Sequence, residues 1–258
     1  IIMSDSVFVF ATEAEIKKIE RLDLNVLEKY RLRDRLAGLD FPPADARFHN
    51  YGRMTKAIHD LELSYPNIIR KFTIGKSVES RELWAIQINS SRNTLRIQPV
   101  PTGRTRSSAK PGIVFIGNHH AREHVSAEIP LMLAEFLAKN YGVDRDITSL
   151  IDSRDIYIIP MLNPDGVEYD IETGSYRWQR KNMRKNGTSK PGVDLNRNYG
   201  FMWGTGGSSQ DPSSEVYMGP KAFSEPETQA IRDFIDARPN IKILLSFHTF
   251  SELILYPW

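Results

Sequence analysis

Residues 113–124 read IVFIGNHHAREH, an apolar run that ends in a cluster of side chains able to bind a metal ion. The apolar residues predict a buried strand, and His120 and Glu123 follow it within one loop. A second apolar run, IKILLSF at residues 241–247, likewise ends at a histidine, His248. Two strands that deliver His, Glu and His to one edge of a sheet would form a three-ligand site with an open fourth position. That arrangement is typical of a catalytic zinc ion rather than a structural one.

The elements around these two runs predict an α/β fold. Helices are predicted at residues 51–65, 126–140 and 225–237, strands at residues 68–74, 82–88, 113–117, 155–161 and 241–247, and a loop at residues 90–112. The first two strands are joined by Gly75-Lys76-Ser77, which indicates a hairpin, whereas the later strands alternate with helices. We therefore expect a mixed parallel and antiparallel sheet flanked by helices. In such sheets, functional groups gather beyond the carboxyl ends of the strands, where both predicted histidine ligands fall.

Composition narrows the classes of function. The 258 residues are 40% hydrophobic and 26% charged, which is ordinary for a globular protein. The formal net charge is +2 despite 34 basic residues, so no nucleic-acid partner is expected. Because the chain has no cysteine, thiol catalysis, disulfides and Cys-based zinc fingers are excluded, and His, Asp and Glu remain as metal ligands. No apolar stretch approaches the roughly 20 residues of a membrane-spanning helix, so no membrane partner is expected. No signal peptide is visible, but the chain opens on Ile1-Ile2, so this absence carries little weight.

The first forty residues differ from the rest of the chain. Residues 7–10 predict a strand, and residues 12–15 form a capping box before a short helix. The sequence DFPP at residues 40–43 then interrupts the pattern. We expect residues 1–40 to be the end of a separate small α+β unit with its connector, and residues 41–258 to form the main domain.

The metal motif has a competing interpretation. Residues 120–124 also fit the H-x-x-E-H pattern of inverzincins, in which both histidines bind zinc and the glutamate is the general base. That alternative needs a continuous helix through the motif, so that His120 and His124 share one face. Gly117 and Asn118, directly after a strand, favour a loop instead, and the inverzincin pattern leaves His248 without a role.

The chain resembles the zinc carboxypeptidases of the carboxypeptidase A and carboxypeptidase T type (peptidase family M14), and the bacterial carboxypeptidase T group most of all. The matching blocks are FHNY at 48–51, YPNI at 65–68, IGKS at 74–77, RELWA at 81–85, HHAREH at 119–124, NPDG at 163–166, DLNRNYG at 194–200 and SFHTFSELILYP at 246–257. They run in order from about residue 45 to the end of the chain, which makes the resemblance highly specific. It implies a zinc carboxypeptidase-like sheet and a secreted enzyme, made as a zymogen, that removes C-terminal residues from peptides.

The resemblance gives the matching residues roles around the metal. His120, Glu123 and His248 would hold one zinc ion, which activates water and polarises the scissile carbonyl. Asp194 would accept a hydrogen bond from the outer ring N–H of His120. Arg180 would stabilise the oxyanion. Relatives place a tryptophan directly before this arginine, whereas Gln179 intervenes here, so Arg177 and Arg184 compete for the same role.

Further residues are assigned to the substrate. Asn196 and Arg197 match the pair that grips the terminal carboxylate, since a guanidinium fork can meet a carboxylate with two parallel hydrogen bonds. Arg122 would line an outer substrate position, and Leu255 would lie near the pocket for the C-terminal side chain. The expected partners are peptide or protein C-termini and the chain's own propeptide, and the protein is expected to be a monomer. A contribution from calcium, as in some bacterial relatives, stays open.

Four other histidines have no assigned role. His119 is expected to pack or hydrogen-bond beside the site, and His124 to replace an aromatic residue of the pancreatic members. His49 and His59 have no evident partners in the sequence and are expected at the surface.

The resemblance also sets expectations for the ends of the chain. The family's general-base glutamate and a mobile tyrosine lie well past the third zinc ligand, and this chain ends ten residues after His248. We therefore expect a fragment truncated at both ends, with residues 1–40 as propeptide tail and connector, and residues 41–258 as the N-terminal two-thirds of the catalytic domain. The fragment alone should be nearly inactive, because a general base contributes about 10²–10⁴-fold to the rate. Two alternatives remain: a related deacylase, and an inactive zinc- or peptide-binding relative.

Overall fold

The structure is a computed structural model that describes residues 2–3, 6–7, 18, 21, 41–90, 110–250 and 252–255. Two short strands near the N-terminus, β1 (Ile2–Met3) and β2 (Ser6–Val7), pair in antiparallel orientation. The strand predicted at residues 7–10, the helix predicted after residue 12 and the loop predicted at residues 90–112 lie mostly outside the described residues. The separate N-terminal unit therefore stays a prediction.

A five-stranded mixed sheet forms the centre of the described chain. Its strands are β3 (Ile69–Lys76), β4 (Glu82–Ile88), β5 (Gly112–Ile116), β6 (Asp155–Ile159) and β7 (Ile241–Ser246). They are arranged in the order β3-β4-β6-β5-β7. β4 pairs antiparallel with both β3 and β6, whereas β5 runs parallel to both β6 and β7. The predicted hairpin and the predicted mixed sheet are both confirmed.

Five α-helices accompany the sheet within the described residues: α1 (Tyr51–Ser64), α2 (Val125–Asn140), α3 (Arg145–Ser153), α4 (Pro164–Ile171) and α5 (Pro226–Asp236). The sequence predicted α1, α2 and α5 to within a residue or two. In α1, the Asn50 side chain accepts a hydrogen bond from the Arg53 N–H and so begins the helix. Met54, Ile58 and Leu61 then recur at helical spacing and are buried. None of the described helices is both long enough and apolar enough to span a bilayer.

Apolar cores lie on both faces of the sheet, because successive side chains of a strand point to opposite faces. Along β5, Ile113 and Phe115 pack into the core that contains residues of α1 and α2. Val114 and Ile116 point the other way and join the core that contains Ile231 of α5. β7 lies at the edge of the sheet, and its residues 243–245 are 40–55% exposed. The strands that carry the metal motifs are thus a covered central strand and its neighbour at the edge.

Candidate metal centre

Parallel pairing of β5 and β7 brings the two metal motifs together. Ile116 at the end of β5 is in register with Ser246 at the end of β7. The chain segments that follow the two strands therefore leave the sheet side by side. His120 and Glu123 lie in the segment after β5, and His248 lies in the segment after β7. One ligand atom from each of these three residues lies within 4.8 Å of the other two.

The loop after β5 has its shape because of Gly117 and Asn118. A Cβ atom at Gly117 would lie 2.2 Å from the Ser126 carbonyl oxygen, so only glycine fits there. Asn118 adopts a left-handed conformation with φ of 56°. Its Nδ2 donates to the carbonyl oxygens of His120 and Ala121 at 3.1 and 3.2 Å. No function was assigned to Asn118 from the sequence, although an asparagine after a glycine at a strand end is suited to this conformation.

The conformation of residues 119–124 contradicts the inverzincin alternative. α2 begins only at Val125, so the motif lacks the continuous helix that this alternative requires. His124 points elsewhere: its Nε2 lies 2.8 Å from Asp170 Oδ2, and its ring stacks on Tyr176. Residues 119–124 thus form the predicted loop.

The three ligand atoms have a separation that suits zinc. Two nitrogens that are each about 2.0–2.1 Å from a tetrahedral zinc ion lie roughly 3.3 Å apart. The Nδ1 atoms of His120 and His248 are 3.2 Å apart. The carboxylate of Glu123 lies between them, with Oε1 2.7 Å from His120 Nδ1 and Oε2 2.9 Å from His248 Nδ1. Two imidazoles and one carboxylate are a donor set that zinc accepts in proteins.

The described residues contain one candidate metal site. Among the residues that the structure describes, no other group of three or more His, Asp or Glu side chains converges in this way. The described part of the chain thus offers no comparable cluster of side chains for the calcium ion that the sequence left open.

The ionised carboxylate of Glu123 faces the position that a metal cation would occupy. Burial favours the neutral carboxyl, but hydrogen bonds from His120 and His248 hold the pKa of Glu123 well below its usual range. The backbone N–H of Thr249 also donates to Oε2 at 3.1 Å. The carboxylate is therefore ionised and oriented without a further change in conformation.

Asp194 connects the candidate metal ligands to a neighbouring arginine, Arg180. It is fully buried, and its Oδ1 accepts from His120 Nε2 at 3.1 Å and from the Asn196 N–H at 2.9 Å. Its Oδ2 accepts from Arg180 Nε and Nη2 at 3.0 and 2.9 Å. Burial acts to raise the pKa of Asp194, but the hydrogen bond from His120 and the charge of Arg180 lower it below the ordinary value. Asp194 thus accepts the Nε2–H of His120 and holds the ring with Nδ1 facing Glu123 and His248, the orientation in which Nδ1 would bind a metal.

The structure separates the three competing arginines. Arg180 Nη1 lies 3.8 Å from Glu123 Oε1, beside the metal ligands. Arg177 instead forms an ion pair with Glu172 at 2.6 Å, and Arg184 forms one with Glu225 at 2.6 Å. Of the three arginines, Arg180 is therefore the one that forms ion pairs with Glu123 and Asp194 at the candidate metal site.

The residues assigned to the substrate lie at more exposed positions. Asn196 and Arg197 belong to a short 3₁₀ helix, Leu195–Arg197, whose N-cap is Asp194. Arg197 Nε donates to the Gly207 carbonyl oxygen at 2.7 Å. Arg122 Nη1 donates to the Trp178 carbonyl oxygen and to Glu215, at 3.3 and 3.2 Å. Leu255 is 81% exposed, and its assignment stays a prediction.

Two further histidines have specific partners. His119 is only 2% exposed, and its pKa is lowered to about 3 by burial, with a further contribution from the nearby His248. His119 lies beside the site, as predicted. His49, which has no evident partner in the sequence, has one in the structure: its Nδ1 lies 2.8 Å from Glu128 Oε2, and its side chain is 28% exposed. The partner is 79 residues away in the sequence, so no local pattern could reveal it.

A family model and curated proteins each match most of this chain. The model of the family described as Zinc carboxypeptidase (Peptidase_M14) matches residues 54–258. A zinc carboxypeptidase from Saccharothrix mutabilis subsp. capreolus is 36% identical over 224 residues, which are 85% of this chain and 49% of that protein. Carboxypeptidase A2 from Rattus norvegicus is 30% identical over 211 residues, covering 82% of this chain and 46% of that protein. The chain thus spans about half the length of the curated relatives it matches.

Solved structures share the fold. Carboxypeptidase A from Helicoverpa armigera superposes with a TM-score of 0.70 and 28% identity, covering 95% of this chain and 60% of that one. Thrombin-activatable fibrinolysis inhibitor superposes with a TM-score of 0.73 and 26% identity, covering 88% of this chain and 56% of that one.

Proposed function

Because this chain belongs to the peptidase M14 family of zinc carboxypeptidases, we propose that the protein is a zinc-dependent metallocarboxypeptidase that hydrolyses the last peptide bond of peptides and proteins. The observation that carries the proposal is the convergence of His120, Glu123 and His248 beside Arg180. One zinc ion per chain would be held by the first three residues. When bound, zinc supplies a Lewis acid that polarises a carbonyl and lowers the pKa of a bound water.

The surrounding residues orient the reacting groups. Asp194 holds His120 with its Nδ1 directed at the metal position, and the same carboxylate binds Arg180 through Nε and Nη2. This double contact fixes the guanidinium plane and keeps Nη1 near the metal ligands. Arg180 can then donate to the oxygen on which negative charge develops during attack on the carbonyl. The donor is already in position before reaction, which is what makes such stabilisation effective.

Asn196 and Arg197 would bind the substrate's terminal carboxylate. Asp194 caps their 3₁₀ helix through the Asn196 N–H, so the residue that orients His120 also anchors the carboxylate-binding segment. A guanidinium matches a carboxylate in shape and charge. Such a contact would restrict cleavage to the C-terminal peptide bond. Arg122 would line an outer substrate position, and Leu255 would lie near the pocket for the terminal side chain.

The proposal extends to maturation and location. Residues 1–40 would belong to an inhibitory propeptide, and the protein would be secreted as a monomeric zymogen. A domain boundary close to residue 41 is supported by Phe41, which is 2% exposed and packs edge-on against His124 at 5.0 Å between ring centroids. The chain from Phe41 onward thus shares the core of the domain that carries the metal centre.

The experiment is hydrolysis of one peptide in two forms, with a free and with an amidated C-terminus, by the whole protein. We expect release of the C-terminal residue from the free form only, loss of this activity with a chelator, and recovery with zinc. Equal cleavage of both forms would refute the role of Asn196 and Arg197. Hydrolysis restricted to acylated amino acids would identify the deacylase alternative, and zinc binding without hydrolysis would identify an inactive relative.

A further inference from the structure

A row of hydrogen-bonded side chains extends from His248 away from the metal position. Ser246 Oγ lies 3.0 Å from His248 Nε2 and 3.0 Å from His119 Nδ1. His119 Nε2 in turn lies 2.8 Å from the hydroxyl of Tyr199. Tyr199 follows two residues after Arg197, in the segment proposed to bind the substrate. The proposed function gives no role to Ser246, His119 or Tyr199.

The two imidazole ligands are supported in different ways. His120 is 3% exposed and is held by the buried carboxylate of Asp194. The side chain of His248 is 29% exposed and follows the edge strand β7. Its Nδ1 faces Glu123 and His120, so its orientation toward them depends on what holds Nε2. The side-chain oxygen at that nitrogen is Ser246 Oγ.

Metal binding allows one arrangement of protons along this row. A metal at His248 Nδ1 takes the lone pair of that nitrogen, so Nε2 carries the hydrogen and donates to Ser246 Oγ. The Ser246 hydroxyl is then free to donate to His119 Nδ1. His119 consequently carries its hydrogen on Nε2 and donates it to the Tyr199 oxygen. Each member thus donates to the next, and the row selects the tautomer of His248 that leaves Nδ1 available.

His119 is suited to hold Ser246 in place. It is 2% exposed, and both of its ring nitrogens are engaged, so the ring cannot turn without breaking two hydrogen bonds. Its ring also stacks on His248, with centroids 5.6 Å apart and an interplanar angle of 24°. Ser246 is exposed on the edge strand and has less packing of its own. The buried histidine therefore supplies the rigidity that the serine lacks.

We propose that Ser246 and His119 are positioning residues of the zinc site, which orient His248 and fix its tautomer as Asp194 does for His120. This inference rests on the zinc site of the proposed function. Hydrogen-bond partners behind a metal ligand commonly change metal affinity by about 10–100-fold. Tyr199 extends the row into the segment of Asn196 and Arg197, and so links ligand orientation to the substrate-binding segment.

The test is zinc affinity, measured by competition with a chromophoric chelator, in Ser246→Ala, Ser246→Thr and His119→Phe. We expect Ser246→Ala to bind zinc about 10-fold more weakly, whereas Ser246→Thr retains the hydroxyl and the affinity. His119→Phe retains a ring but neither nitrogen, and should weaken binding by at least as much as Ser246→Ala. The visible absorption of the cobalt(II)-substituted protein should change in the two weakened variants, because it reports the arrangement of the ligands. The matched control is His59→Ala, which removes an exposed histidine of α1.

The outcomes separate the two proposals. If His248→Ala binds zinc as tightly as the unmodified protein, the zinc site itself is wrong. If His248→Ala weakens binding while Ser246→Ala leaves both the affinity and the cobalt spectrum unchanged, only the positioning role is overturned. Ser246→Ala changes an exposed position, so it remains decisive even where His119→Phe lowers the melting temperature of the metal-free protein.

Discussion

Glu227 should make the stability of this protein depend on pH. It lies in the first turn of α5, is fully buried, and accepts hydrogen bonds from the Val78 N–H and from Asn182 Nδ2, both at 3.1 Å. Asn182 also donates to the buried Glu225, whose charge is balanced by Arg184. Burial, together with the negative charge of Glu225, raises the pKa of Glu227 to about 7.

The size and sign of the effect follow from linkage. The carboxyl has an ordinary pKa of 4.5, so between pH 4.5 and about 7 the folded protein keeps a proton that the unfolded chain has lost. The contribution of Glu227 to the free energy of unfolding should therefore fall as pH rises through this interval, and it should not change further above it. The difference between 7 and 4.5, at 1.36 kcal/mol for each pH unit, corresponds to about 3 kcal/mol.

The assay compares the unmodified protein with Glu227→Gln by urea denaturation from pH 4.5 to pH 8, with a chelator present throughout. Glutamine does not titrate and still offers an acceptor to the Val78 N–H. We expect the stability of the variant, relative to the unmodified protein, to increase from pH 4.5 to about pH 7 and then to stay constant up to pH 8. The matched control is Glu135→Gln, at a surface glutamate that pairs with Lys139 of the same helix. Parallel stability curves for the unmodified protein and Glu227→Gln would refute the reasoning.

Three shorter predictions concern the metal loop and the backbone. Glu123→Gln should weaken zinc binding in the chelator competition, because Glu123 is proposed to be a zinc ligand. Full zinc binding with loss of activity would show that it acts as a base instead. Asn118→Ala should lower the free energy of unfolding by about 2 kcal/mol, because it removes the hydrogen bonds to the loop carbonyls and leaves an alanine strained at φ of 56°. Asn118→Gly avoids this strain and should lower the free energy of unfolding by less. Gly192→Ala should destabilise the protein far more than Gly187→Ala in thermal denaturation. Both glycines have positive φ, but a Cβ at Gly192 would lie 2.0 Å from the Asn182 carbonyl oxygen, whereas Gly187 has no neighbour within 4 Å. Equal costs for the two would contradict the steric argument.

Hydrophobic periodicity was sufficient to predict α1, α2, α5 and the five strands of the central sheet. Met54, Ile58 and Leu61 mark α1 because its buried face repeats at helical spacing. The helices α3 and α4 were missed because they are short and begin at Asp144 and Asn163, residues that also initiate turns. In both, the side chain accepts backbone hydrogen bonds at the start of the helix, a role that the residue type alone does not distinguish from a turn.

The convergence of the candidate metal ligands could be predicted because neighbouring parallel strands end at the same edge of a sheet. Two apolar runs that each end at a histidine are expected to meet once the strands are parallel neighbours, and His120 and His248 do so. The contacts behind the ligands could not be predicted in this way. Ser246 lies 127 residues from His119, and their contact depends on the register of β5 and β7. Side-chain hydrogen bonds at such separations have no signature in spacing or periodicity.

The pairing of β5 with β7 has a consequence for a chain without cysteine. Zinc bound to His120 and His248 would act as a cross-link between residues 128 positions apart. A covalent closure of that length removes conformational entropy from the unfolded chain worth about 5 kcal/mol. The closure would act on β7, the edge strand with exposed apolar residues, which is otherwise held to the sheet by one neighbour within the described residues. The metal would then stabilise the attachment of β7 to the sheet in addition to its proposed role in catalysis. Amide hydrogen exchange in β7 would therefore slow when zinc binds.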